Sequence, residues 1–257
     1  MSPLISHEWS RLPWRVVYAA LALGLGLLGA SHLIIPALPA LPIEFLETAF
    51  AVSGLRAVLV LNDHLATWTI VFALGVGLLH EGVVAPRETR ELGLWLSKPI
   101  ERSTFLWLRA LPALAASGGV GLVLSLATAL SVAGLPAGGT TTPGGALLEG
   151  LVLTLGGLVV LAAVLGLQVA STDGFQALML AFVAWILPLL PASVLIYRPD
   201  VLAQHPTFTA WGVFPANLIW ADLGLLPLLP PALGLSAALG ALLFRLAVWR
   251  FERAEGA

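Results

Sequence analysis

Cysteine is absent from all 257 positions, which excludes disulfides, thiol nucleophiles and thiolate metal sites. Lysine occurs once, at Lys98, and no G-x-x-x-x-G-K run exists, so the chain cannot hold ATP through a phosphate-binding loop. No H-E-x-x-H, no adjacent E-E pair and no G-x-S-x-G occurs either. No catalytic residue, bound cofactor or bound metal is therefore expected, and nothing points to a nucleic-acid partner. Charge is scarce as well: charged residues make up 10% of the chain, against roughly a quarter in a soluble domain.

What fills the chain instead is apolar. Hydrophobic residues make up 59% of it, in continuous runs without the alternation of a β-barrel. Crossing about 30 Å of hydrocarbon as a helix takes roughly 20 residues. Six runs meet that need: Val16 to Ile35, Leu65 to Val84, Phe105 to Leu126, Ala146 to Val169, Phe175 to Ile196 and Leu225 to Val248. The expected fold is an all-α membrane protein, one transmembrane domain over 1–257. The first run follows Arg11 and Arg15 as a signal peptide would, but its apolar core exceeds the usual 7 to 15 residues, so we read it as a retained span.

The basic residues set the orientation, because Lys and Arg stay on the cytoplasmic side of short loops. Six spans with both termini cytoplasmic place Arg11, Arg15, Arg87, Arg90, Lys98, Arg102, Arg109, Arg245, Arg250 and Arg253 inside, and leave Arg56 and Arg198 outside. A seventh span over Glu44 to Leu61 would separate the Arg11/Arg15 pair from the 87–109 cluster, so that segment is expected to be an outer interfacial helix. Residues 1–15 are expected to form an inner interfacial helix, with Ile5, Trp9 and Leu12 on one face and His7, Ser10 and Arg11 toward water.

Small residues recur at helix-contact spacing in Ala22, Gly26 and Ala30, in Ala73 and Gly77, and in Gly118, Gly119 and Gly121, which suggests close packing. Pro112, Pro188, Pro191, Pro227, Pro230 and Pro231 suggest kinks or broken ends. Val132 to Gly145 reads as a flexible turn. Tyr197 to Leu223, with Phe208, Trp211, Phe214, Pro215, Asn217 and Trp220, reads as an aromatic belt or as an outer re-entrant element before the sixth span. His80 and Glu81 adjoin but point about 100° apart, which disfavours a joint site. His32, His64 and His205 could gather on the outer side with Asp63 beside them, as copper or haem ligands would, but nothing fixes their mutual distance and we read them as interfacial side chains. No buried proton relay is expected within the spans.

Charge is concentrated in Glu88 to Phe105, ETRELGLWLSKPIERSTF, which carries Glu88, Arg90, Glu91, Lys98, Glu101 and Arg102 between two long apolar runs. As a helix it sets Leu92, Trp95 and Leu96 on one stripe and Arg87, Arg90 and Ser97 opposite, until Pro99 ends it. The segment is either a docking handle for a partner or a basic anchor for the two flanking spans.

The segment RELGLWLSKPIERSTFLWLRA and the order of elements resemble the permease subunits of ABC-2-type ABC exporters. Glu91, Gly93, Leu96, Ser97, Pro99, Arg102 and Arg109 occupy the family's positions in this stretch. The resemblance implies a cytoplasmic coupling helix between spans two and three, formed by Arg87, Glu88, Arg90, Glu91, Leu92, Leu94, Trp95, Leu96, Ser97, Pro99 and Arg102, with Leu94 seated in a cleft of a separate ABC ATPase. It further implies a second permease copy, ATP and Mg held on the partner ATPase, and export across the cell membrane by a subunit with no ATPase site of its own. The competing class is a non-ABC membrane subunit that assembles or matures a larger complex.

Overall fold

In the computed structural model, residues 3–38, 44, 54–89, 101–135, 141–171, 173–186 and 229–254 are described. Among them the chain is all-helical, with no strand. Helix α1 spans Pro3–Arg11, α2 Trp14–Ile34, α3 Leu55–Leu79, α4 Ala85–Glu88, α5 Arg102–Ala133, α6 Pro143–Ala170, α7 Gly174–Ile186 and α8 Leu229–Ala254. A short 3-10 turn extends α2 to Ala37, and a π-helical turn, His80–Val84, joins α3 to α4.

Four segments are long and apolar enough to cross a membrane: Trp14–Ala37, Leu55–Val84, Ser103–Ala133 and Pro143–Ala170. Lipid supplies no hydrogen bonds, and a helix meets that constraint by pairing its backbone internally. The protein is membrane-embedded. Helices α7 and α8 fall in the fifth and sixth apolar runs.

Helix α6 is the centre of the bundle. It packs most extensively on α8 and α5, then on α3 and α7, while α2 flanks α3 and α5. Buried positions run the length of α3 and α6, whereas α2 buries just Val17, Gly24, Leu28 and Ser31 and exposes most of its other apolar side chains.

Glycine contacts bring the helices together, but not at all the expected ones. Gly26 and Gly77 face open space, and Ala22, Ala30 and Ala73 are exposed. The close approaches are at Gly24 against Leu124, Gly75 against Leu161, Gly121 against Thr154 and Gly150 against Ser125. In α2 and α3 the contact register lies two residues from the expected stripe, on the other side of the helix. Gly118, Gly119 and Gly121 divide: the last is buried in the α5–α6 contact, while Gly119 faces open space.

Two further expectations are corrected. Residues 55–61 do not form a separate interfacial helix with Glu44: they are the first turns of α3, with Ala57 to Leu61 buried. Arg56 does not have to stay in water, because its guanidinium donates to the carbonyls of Leu135 at 2.8 Å and Thr141 at 3.2 Å, beyond the end of α5. The chain enters α3 through Gly54 at φ 86°, a left-handed conformation that suits glycine. Pro230 and Pro231 lie at a helix end, in the first turn of α8, where a missing N–H has no intrahelical acceptor to lose. Pro112 lies inside a continuous α5. Thr142 caps α6, its Oγ1 accepting from the Gly145 N–H at 3.0 Å.

Gly75→Val should overpack the α3–α6 contact and cost about 1–3 kcal/mol. Gly77→Val, facing open space, should change stability by less than about 0.5 kcal/mol. Thermal unfolding of the detergent-purified protein checks both, and equal shifts would contradict the observed register.

Candidate functional site

Two polar sites interrupt the apolar bundle, one at each end. The first lies where α1, α3 and α5 meet. Helix α1 presents His7, Ser10 and Arg11 outward, as expected, and Trp9 meets Trp14 with ring centres 5.4 Å apart and planes tilted by 59°. Glu8 turns inward instead and meets Arg109 of α5 at 3.1 Å and Arg11 at 3.8 Å. Both side chains of the Glu8–Arg109 pair are largely buried. Arg109 also lies over the Phe105 ring, which stacks on Phe251 of α8 at 6.0 Å. One contact chain thus runs from α1 through α5 to α8.

Glu8 and Arg109 border a cavity of about 300 Å³ whose other polar walls are Arg11, Glu81 and Thr89, and whose apolar walls include Leu12 and Pro112. The π-helical turn lines it through Glu81 and Gly82, beside Pro13, Pro86 and Pro112. The extra residue of a π turn rotates the chain that follows it, a device common at functional sites. Gly82 in that turn brings it near the Arg109 carbonyl, where a Cβ would lie 3.6 Å away. His80 and Glu81 diverge as expected: Glu81 borders the cavity, while the His80 ring lies against Gly174 at the start of α7.

Of the expected coupling residues, Arg87 and Glu88 end α4 and Arg102 begins α5. Arg90, Glu91, Leu92, Leu94, Trp95, Leu96, Ser97 and Pro99 lie outside the described residues, as do Phe208, Trp211, Phe214, Pro215, Asn217 and Trp220 of the expected outer element. Glu88 has a role that its place in the sequence does not suggest. Its Oε1 accepts the Gly174 N–H at 2.7 Å, so the carboxylate sits at the start of α7, where a helix N-terminus favours an anion. Gly174 has no room for a side chain, since a Cβ would fall 2.6 Å from that oxygen. Asp173 caps the same helix through the Gln176 N–H at 2.8 Å.

The second site lies at the opposite end of the bundle and corrects the expectation of spans without buried ionisable pairs. Asp63, fully buried in α3, receives α2. Its Oδ2 lies 2.9 Å from His32 Nε2, and its Oδ1 lies 3.0 Å from the Ser31 hydroxyl, which also reaches the Leu28 carbonyl at 2.8 Å. Thr128 of α5 sits beside the carboxylate. The next residue, His64, points to α6 instead. Its Nε2 is 3.3 Å from the Ala146 carbonyl and its Nδ1 stands 4.0 Å from Glu149 Oε2. The histidines therefore do not gather: His32 and His64 turn to different carboxylates on different helices, and His205 lies outside the described residues.

Neither a scan against known protein families nor a search of curated proteins finds a match to this chain.

If Glu8–Arg109 fastens α1 to the bundle, Glu8→Gln and Arg109→Gln should each lower the unfolding temperature. The double variant should cost less than the two singles added, with a coupling energy of about 0.5–3 kcal/mol. Strict additivity would make the contact incidental.

Proposed function

We propose that this chain is the transmembrane subunit of an ATP-driven exporter of the ABC-2 type, a six-span permease of the cell membrane with both termini cytoplasmic. It pairs with a second permease copy and takes its energy from a separate ATPase that holds ATP and Mg. The observation that carries this reading is the Glu88–Gly174 contact. The charged segment after Glu88 is the part of the chain best suited to receive a cytoplasmic partner, and its first turn is tied to the N-terminus of α7 at 2.7 Å. Its far end runs directly into α5, whose Arg109 grips α1 through Glu8.

A push on that segment would thus reach three elements through short, directed contacts. Such connections let a small displacement at a docking surface become a rigid-body shift of packed helices. For the segment to couple, ATP-driven closure must favour one arrangement of the spans over the other. Leu94 and the Arg87/Arg90 side of the segment would meet the ATPase, and the Leu92, Trp95 and Leu96 stripe would face the membrane surface.

Mild-detergent purification of the tagged protein should bring down an ATPase in roughly equimolar amount, with vanadate-sensitive hydrolysis. Glu91→Arg or Leu94→Asp should abolish the transport-linked part of that activity with insertion intact. A clean preparation, or unchanged coupled activity in both variants, would favour an assembly subunit bound to a non-ATPase partner. Separately, cysteines introduced at Ser97 and Gly134 should be labelled from opposite faces of the membrane, cytoplasmic and outer. Labelling from the same face would break the six-span arrangement.

A further inference from the structure

An ionisable pair within a membrane helix bundle is expensive to place and marks a functional position unless its partners explain it. Asp63 and His32 explain each other structurally, but that leaves open why an acid–base pair stands where two apolar side chains would pack without a desolvation cost. Two features of the surroundings bear on this. Asp63 is eight residues from the start of α3, about 12 Å along the axis, and His32 is two residues from the end of α2, so the pair lies shallow at one end of the bundle. Helix α2 is also the least buried of the four long spans. Its fully buried positions are Val17, Gly24, Leu28 and Ser31 of this polar cluster, with Trp14, Ala20 and Leu21 packed half-buried against the core.

We propose that the Ser31–His32–Asp63 cluster is a proton-binding site within the membrane, and that uptake of its second proton releases α2 from α3. The chemistry follows from the 2.9 Å contact between His32 Nε2 and Asp63 Oδ2. One proton between these atoms makes a hydrogen bond, whichever atom holds it. With two, the carboxyl is neutral and keeps a single carbonyl oxygen for donors that the carboxylate met with two, and the imidazolium loses the carboxylate charge that compensated it. The proton enters from water at the near end of the bundle, and nothing is oxidised or reduced.

The other groups facing this site are few. Among the described residues α5 contributes Thr128 and no titratable side chain at this end, α6 contributes Glu149, and α3 adds His64 and Arg56. Arg56 is held by the Leu135 and Thr141 carbonyls, and Glu149 stands toward His64. The second pair thus turns to α6 and not to α2, and it provides an internal control. The proposal does not depend on the exporter reading.

The absence of cysteine makes the test direct. Spin labels on Leu33→Cys in α2 and Leu130→Cys in α5, both exposed positions, report the separation of the two helices in the full chain in nanodiscs. Between about pH 8 and pH 5, the range in which histidine pairs switch, a longer-distance population should appear reversibly. Its ratio to the short one should change about tenfold per pH unit on the rising limb, as uptake of one proton requires. His32→Gln, which keeps a donor without a titrating ring, should hold the short distance at both pH values. Glu149→Gln should keep the response. Infrared difference spectra of the unlabelled wild type should show a protonated carboxyl band at low pH that Asp63→Asn lacks. The proposal is overturned by a wild-type distance distribution that does not move with pH, by the absence of a carboxyl band that depends on Asp63, by a response that survives in His32→Gln, or by one that disappears in Glu149→Gln. The wild-type measurements decide even if a variant fails to fold.

Discussion

Hydrocarbon offers no hydrogen-bond partner, so every polar group carried into this bundle has to be answered by another part of the chain. That constraint accounts for more of the architecture than apolar packing does. Apolar faces are satisfied equally by lipid or by a neighbour, and α2, α5 and α7 leave many of theirs outward. The polar side chains cannot be satisfied so freely. Asp63 needs α2, Arg56 needs the carbonyls beyond α5, Glu8 and Arg109 need each other, and Glu88 meets the first N–H of α7. These are also the contacts that specify which helix lies against which.

Small residues then set how closely the helices approach. Where Gly75, Gly121 and Gly150 face α6 or α5, side chains such as Leu161, Thr154 and Ser125 enter the space a Cβ would occupy. In lipid, close backbone approach is itself a source of attraction, because dispersion contacts replace the hydrophobic drive that water would supply. The serines and threonines at these contacts bond back to their own helix: Ser125 reaches the Gly121 carbonyl at 2.7 Å and Thr154 the Gly150 carbonyl at 2.8 Å. They fill the interface without leaving a hydroxyl unanswered.

Much of this was legible in the sequence and some was not, for identifiable reasons. The apolar runs gave the helices to within a few residues at most ends, because continuous hydrophobicity over 20 or more positions leaves little choice. The outward face of α1 was readable from periodicity. Contact register was not: in a chain with 26 glycines, several stripes fit each helix and nothing local selects among them. Gly24 and Gly75 were passed over for neighbours that face open space. Arg56 misled for a related reason. A lone arginine beside a run reads as the end of the hydrocarbon, whereas its partners are carbonyls some eighty residues away. The His32–Asp63 pair was hidden by placing the start of the second span at Leu65, which left Asp63 and His64 in a loop. A window extended back to Leu55 would have put both inside a helix and raised the question of their partners.

The Glu8–Arg109 and His32–Asp63 contacts share a property that concerns how the protein is made. Each joins a residue among the first 32 to a helix that leaves the ribosome later, across separations of 101 and 31 positions. When α1 and α2 first reach the bilayer, neither Glu8 nor His32 has its counterpart, and both must wait near the surface, where water still serves them. The N-terminal helices can dock firmly once α3 and α5 have followed. The beginning of the chain then settles only after later segments have emerged, and a synthesis halted before α5 would leave a loosely held α1 as a recognisable mark of incompleteness for quality control.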